Sequence, residues 1–165
     1  MGHVHDSQLR WLGPEKGVEH MAIGAVLSAP STRSRFATGE QMQNRIMYKQ
    51  YLQAGSFKVM QIDATRVAGP QEIVLEYLLA NKFGVRVCPH AGGVGLCEAV
   101  RHFAMFDYLA VSGQWDDRVI EYVDNQHEYF VHPTEIVNGR YKAPTAPGSG
   151  VDMKLEAAER YLYKG

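Results

Sequence analysis

Short apolar runs alternate with amphipathic stretches through the middle of the chain. Arg35-Phe36-Ala37-Thr38-Gly39-Glu40 predicts a strand ending in a carboxylate. Residues 41–53 then place Met42, Ile46, Met47, Tyr51 and Leu52 near helical spacing, and Gly55 punctuates the end of that helix. Phe57-Lys58-Val59-Met60-Gln61-Ile62-Asp63 predicts a second strand. Pro70 suits a first helical turn, and residues 70–82 follow as a helix with Ile73, Val74, Tyr77, Leu78 and Leu79 toward the core. Residues 85–90 predict a third strand, ending in His90, and residues 94–105 a third helix. Asp107-Tyr108-Leu109-Ala110-Val111-Ser112 predicts a fourth strand.

The ends of these strands, at Glu40, Asp63, His90 and Ser112, lie 23, 27 and 22 residues apart. That period is the one expected of successive βα units with right-handed crossovers. Parallel strands covered on both faces read as apolar runs rather than alternating ones. The expected architecture is α/β, with three to four βα units and parallel strands. After residue 115 the pattern changes. Residues 129–144 look extended and loop-like, Pro147-Gly148-Ser149-Gly150 is a turn, and residues 151–163 predict a short terminal helix. Before residue 35, residues 18–27 predict a short helix weakened by Gly24, and residues 28–34 a loop. The chain thus divides into an N-terminal segment (1–34), a βα section (35–128) and a C-terminal extension (129–165).

Composition adds mainly exclusions. The 165 residues allow one ordinary domain, and 45% hydrophobic with 21% charged residues is globular usage. A net charge of −1 offers no electrostatic case for binding nucleic acid or an anionic membrane. No run approaches the roughly 20 apolar residues of a membrane span, and the N-terminus lacks the layout of a secretory signal. Cys88 and Cys97 form no CxxC pair and read as free thiols of a cytoplasmic protein.

The strand ends carry the chemistry. Carboxyl ends of parallel strands are where α/β folds hold their sites. Glu40 suits an oxygen-loving cation such as Mg²⁺, or equally a helix N-cap or first-turn acid at the positive end of a helix. Asp63 and His90 end neighbouring strands. An aspartate accepting an imidazole N–H fixes the tautomer and makes the other nitrogen a better base, so the pair can move a proton. The glycines of Ala91-Gly92-Gly93-Val94-Gly95 suit close approach of backbone to a ligand better than a phosphate cradle, because the run is not GxGxxG. His102, His127 and His132 have no ligand-like spacing and read as structural or surface residues. His3 and His5 raise a zinc hydrolase as a distant third reading, with no strand before them to support it.

Four stretches together resemble the C-terminal part of the enolase superfamily. They are Ala37-Thr38-Gly39-Glu40-Gln41, Gln61-Ile62-Asp63, the run from Cys88 to Glu98, and Arg118-Val119-Ile120-Glu121-Tyr122-Val123-Asp124. They most resemble the L-fuconate dehydratase branch of the mandelate racemase subgroup, over residues 36–160. The resemblance implies the C-terminal half of a TIM-type (β/α)₇β barrel. It implies a Mg²⁺-dependent hydro-lyase that removes the proton α to a sugar-acid carboxylate and then expels the 3-hydroxyl, leaving a 2-keto-3-deoxy acid. Glu40 would be a Mg²⁺ ligand, Asp63 and His90 the proton-transfer pair, and Glu121 the acid that hydrogen-bonds the substrate carboxylate. The sequence holds no Lys-x-Lys base and no earlier pair of Mg²⁺ carboxylates. A second reading is therefore a truncated, catalytically inactive remnant acting as a binding or interaction module. Open barrel edges would favour self-association or a complementing chain.

Overall fold

Three two-residue strands form one parallel sheet in the order β1 (Ala37–Thr38), β2 (Val59–Met60), β3 (Arg86–Val87). The computed structural model describes residues 37–165, apart from residues 117 and 125. The expected helix at 18–27, the loop at 28–34 and the His3–His5 pair lie outside the described residues. Ala37 pairs with Val59 and Val59 with Arg86, while Thr38, Met60 and Val87 make the next row. Backbone bonds continue the register beyond the strands: Gln61 N–H donates to Thr38 O, Cys88 N–H to Met60 O and His90 N–H to Ile62 O. This register carries Glu40, Asp63 and His90 to one edge of the sheet.

Each strand is followed by a helix: α1 (Arg45–Gln53), α2 (Pro70–Lys82) and α3 (Leu96–Phe106). Asn44 starts α1, its side chain accepting from the Ile46 and Met47 amides as an N-cap should. Glu40 therefore lies four residues ahead of the cap, and its reading as an N-cap or first-turn acid is corrected. Tyr48, Tyr51, Leu52, Phe57, Met60, Ile73, Tyr77 and Val87 make the core between α1, α2 and the sheet. Ile46 and Leu78 point outward, 58% and 46% exposed, so the apolar stripes of both helices are narrower than their sequences predict. The inward positions of α2 include Glu72 and Glu76 instead. Glu72 receives both the backbone N–H and the guanidinium of Arg45, at 2.6 Å each, and clamps α1 to α2.

Glu76 is fully buried, and among the described residues neither carboxyl oxygen has a hydrogen-bond partner. Burial first, and the Glu72 charge second, push its pKa up to about 8. The native chain thus holds a proton that the unfolded chain releases near 4.5. Stability from this group is complete below the unfolded value and is lost as pH rises through the folded one. Glu76→Gln is expected to remove that loss and to raise the urea midpoint at about pH 9 relative to wild type, with little change at about pH 4. Equal midpoints at the alkaline pH would contradict the buried neutral acid.

The fourth strand expected at 107–112 is not a strand. Asp107–Ser112 continues α3 as a wider helical turn, with Gly113 N–H bonding back to Tyr108 O. Asp107 is buried and paired with Arg118 at 2.9 Å, and the Ser112 hydroxyl returns to Asp107 O, so the helix continues before Gly113 ends it. Leu109 is left 77% exposed. The parallel sheet of the described residues thus has three strands. In the C-terminal section the loop-like stretch contains a hairpin, β4 (Ile136–Val137) with β5 (Arg140–Tyr141), and the terminal helix is α4 (Leu155–Arg160). No described helix is long and apolar enough to cross a membrane.

Candidate functional site

Four residues converge where the parallel strands end. His90 lies three residues past β3 in hydrogen-bond register and is anchored by its own amide on Ile62 O. Its Nδ1 is 2.6 Å from Glu121 Oε2 and 3.1 Å from Glu40 Oε2, and its Nε2 is 4.0 Å from Asp63 Oδ2. The 2.6 Å contact places Glu121 within hydrogen-bond reach of the ring, while Glu40 and Asp63 act on it mainly through their charge. Glu121 raises the His90 pKa above its ordinary 6.5 most strongly; burial opposes this, and the charges of Glu40 and Asp63 add to it. The ring is thus a proton carrier held among three acids.

Asp63 and His90 adjoin, as the strand ends require, but the hydrogen-bonded dyad expected of them is not formed. At 4.0 Å the pair is beyond hydrogen-bond distance. The reason is local. Asp63 Oδ1 accepts the Thr65 amide at 2.8 Å and the Thr65 hydroxyl at 2.7 Å, and Oδ2 accepts Arg66 Nε at 3.1 Å. The signal was available in Asp63-Ala64-Thr65-Arg66, because an aspartate two residues before a turn amide tends to close an Asx turn. The Arg66 guanidinium and the His90 ring both draw on this buried carboxylate.

Two glycines have steric reasons to be here. A Cβ on Gly39 would lie 2.5 Å from Gln61 O, and its φ is +133°, so only glycine lets β1 end so close to β2. A Cβ on Gly92 would lie 2.7 Å from the His90 ring. Gly92 therefore lets the backbone pass close to the imidazole. Tyr48, fully buried, donates its hydroxyl toward Gly39 O and Gln61 O and ties the ends of β1 and β2 together.

Glu121 comes from a stretch with no regular secondary structure. Its carboxylate accepts the Ala91 amide at 2.8 Å, and its own amide donates to Pro89 O at 3.3 Å. The two cysteines are free. Cys97 is buried in the Ala91–Leu96–Val100 cluster, and burial pushes the Cys88 thiol up to about 11, so Cys88 does not behave as a reactive thiolate. His127 pairs with buried Glu98 at 2.7 Å and His102 meets Ser149 O, both structural, as their spacing suggested. A cavity of about 860 Å³ lies elsewhere, walled by Tyr108, Trp115, Val119 and Tyr122 among others, and none of the four converging residues lines it.

Mg²⁺ takes several oxygen ligands in near-octahedral geometry. Among the described residues no group of three or more His, Cys, Asp or Glu side chains is arranged to hold a metal ion, and Glu40 already faces His90. These residues do not by themselves fit Mg²⁺. What they can do alone is hold and move a proton.

The enolase C-terminal domain-like model matches residues 14–158. The chain is 49% identical over 150 residues to mitochondrial enolase superfamily member 1 of Xenopus laevis, covering 91% of this chain and 33% of that protein. It is 46% identical over 129 residues to L-galactonate dehydratase of Hypocrea jecorina, covering 78% of this chain and 28% of the other. The crystal structure of human mitochondrial enolase superfamily member 1 superposes with a TM-score of 0.83 at 42% identity, covering 92% of this chain and 34% of that one. The chain thus spans about a third of the length of these relatives.

Proposed function

This chain belongs to the enolase C-terminal domain-like family, and from that premise we propose that it supplies the general-acid face of a sugar-acid dehydratase. The observation that supports the reading is the His90 ring, set among Glu40, Asp63 and Glu121, which raise its pKa above the ordinary value. His90 would deliver its proton to the 3-hydroxyl of the substrate. With the C2 proton first taken by a base from outside the described residues, the electron pair left at C2 forms the C2=C3 bond as the C3–O bond breaks, water departs, and the resulting enol becomes a 2-keto-3-deoxy acid. Asp63, fixed by Thr65 and Arg66, sets its carboxylate 4.0 Å from Nε2. Glu121, which faces His90, would also meet the substrate carboxylate. Substrates of the L-galactonate or L-fuconate kind are the class proposed, since the two differ only at the far carbon and present the same C2–C3 unit. Mg²⁺, when bound with further ligands, would stabilise charge on the substrate carboxylate. Association at the sheet edges, with a second copy or a complementing chain, is part of the proposal.

A second reading is a module that binds a sugar acid through the same residues without turning it over. The deciding experiment incubates the purified chain with L-galactonate and, separately, L-fuconate in the presence of Mg²⁺. Formation of the 2-keto-3-deoxy product supports the dehydratase. Shifts of the His90 ring resonances on adding the acid, without product, support the module. Neither product nor shift would remove the site from both readings.

A further inference from the structure

Residues 118–124 have no regular secondary structure, yet they carry Glu121. Such a stretch keeps a side chain in place only through contacts made from elsewhere. On one side the Glu121 amide reaches Pro89 O and its carboxylate reaches Ala91 N–H and His90. On the other side the Tyr141 hydroxyl donates to the Glu121 carbonyl oxygen. Tyr141 lies on β5, 20 residues further along, in the section that sequence reading set aside as an extension.

Tyr141 is itself well fixed. Its ring meets Tyr122 edge-on with centroids 6.0 Å apart and packs on the Ala91–Leu96–Cys97–Val100 cluster. The hairpin turns at Asn138 and Gly139, with φ of +52° and +72°, which matches the twist of short hairpins. Lys142 closes it through its amide to Glu135 O and its ammonium to the Glu135 carboxylate at 2.8 Å. Burial pushes the Tyr141 phenol well above its ordinary value of 10, so it stays a donor at any working pH.

We infer that Tyr141 is a positioning residue for Glu121, and that the β4–β5 hairpin is thereby part of the His90 site. The hydroxyl holds the backbone of the irregular stretch at one end of Glu121, and the Ala91 amide holds the carboxylate at the other. Between them they set the 2.6 Å approach to His90. The consequence for substrate handling rests on the proposed role of Glu121; the tether itself does not.

The Ala91 amide resonance reports the tether directly, because that N–H donates to the Glu121 carboxylate. Tyr141→Phe removes one hydroxyl and keeps the ring. The Ala91 amide proton is expected to move upfield, most of the way to its position in Glu121→Ala, and to exchange faster with deuterium. An unmoved Ala91 resonance in a folded Tyr141→Phe chain overturns the inference, even if the variant is less stable. Gly139→Val strains the exposed turn from a distance, since a Cβ there meets nothing within 4 Å. It should shift Ala91 in the same direction, and a folded Gly139→Val chain with native Ala91 also counts against the tether. Where the wild type turns over a sugar acid, Tyr141→Phe should raise KM more than it lowers kcat. A moved Ala91 resonance with no turnover in the wild type would sustain the tether while removing the dehydratase.

Discussion

His90→Asn is expected to lower dehydration of a responsive sugar acid by about 10² to 10⁴, the usual contribution of a placed general acid. Asparagine is close in size to the proximal half of the imidazole and can accept and donate hydrogen bonds, but it cannot deliver a proton. The fold should survive, because His90 is held by its backbone amide on Ile62 O rather than by its ring. Product formation followed at saturating substrate is the measurement. Wild-type turnover in the variant would remove His90 from the acid role.

The pH profile follows from the same geometry. Glu121, Glu40 and Asp63 raise His90 above 6.5, so the acid form persists to higher pH than a free imidazole allows. Rate should fall as pH rises through that raised value, because deprotonation removes the acid. The sign for stability is the same: what the charged ring contributes is complete below 6.5 and lost as pH rises through the folded value. Because Glu121 is the largest influence, Glu121→Gln should move the alkaline limb of the rate profile to lower pH.

Most of the sheet and its helices were legible because several signals agreed. Pro70 sits at the first turn of α2, and the spacing of the strand ends told of βα units before any pairing was visible. Tyr108-Leu109-Ala110-Val111 was misread because a short apolar run suits a buried strand and a helix equally. The Asp107–Arg118 pair that accompanies the helix joins residues whose partnership leaves no periodic trace. The same distinction divides the site. Glu40, Asp63 and His90 follow from strand register, whereas Glu121 lies on irregular chain and was found through resemblance alone. The Asp63–His90 separation was misjudged because Thr65 and Arg66 compete for the carboxylate at closer range. Tyr141 was invisible, since nothing in Arg140-Tyr141-Lys142 names a partner 20 residues earlier.

Glu98→Ala should be among the most destabilising single changes in this chain, costing about 3–5 kcal/mol. Glu98 is fully buried on α3. Its Oε1 accepts the Thr134 amide at 3.0 Å and His127 Nδ1 at 2.7 Å. The other ring nitrogen of His127 lies 3.0 Å from Val123 O, and Tyr122 stacks on the ring at 5.5 Å. One carboxylate thus ties α3 to the chain that follows the stretch carrying Glu121. Burial alone would raise its pKa, but the Thr134 amide and the His127 ring outweigh that and hold it below 4.5. A depressed folded value means that this stabilisation is present above 4.5 and lost as pH falls through the folded pKa. Removing the side chain leaves an amide and an imidazole buried without their acceptor, which is why the loss exceeds that of an ordinary hydrogen bond. Urea unfolding at neutral pH measures it, and a loss under about 1 kcal/mol would show that the pair is not a structural tie. Glu98→Gln should fall between the two, because an amide oxygen can still accept from one donor but carries no charge. In both variants the acid limb of the stability curve should be shallower than in wild type, since the proton uptake that weakens the native chain at low pH has gone. His127→Ala combined with Glu98→Ala should cost less than the sum of the single losses, as expected of two residues that stabilise the fold through one contact.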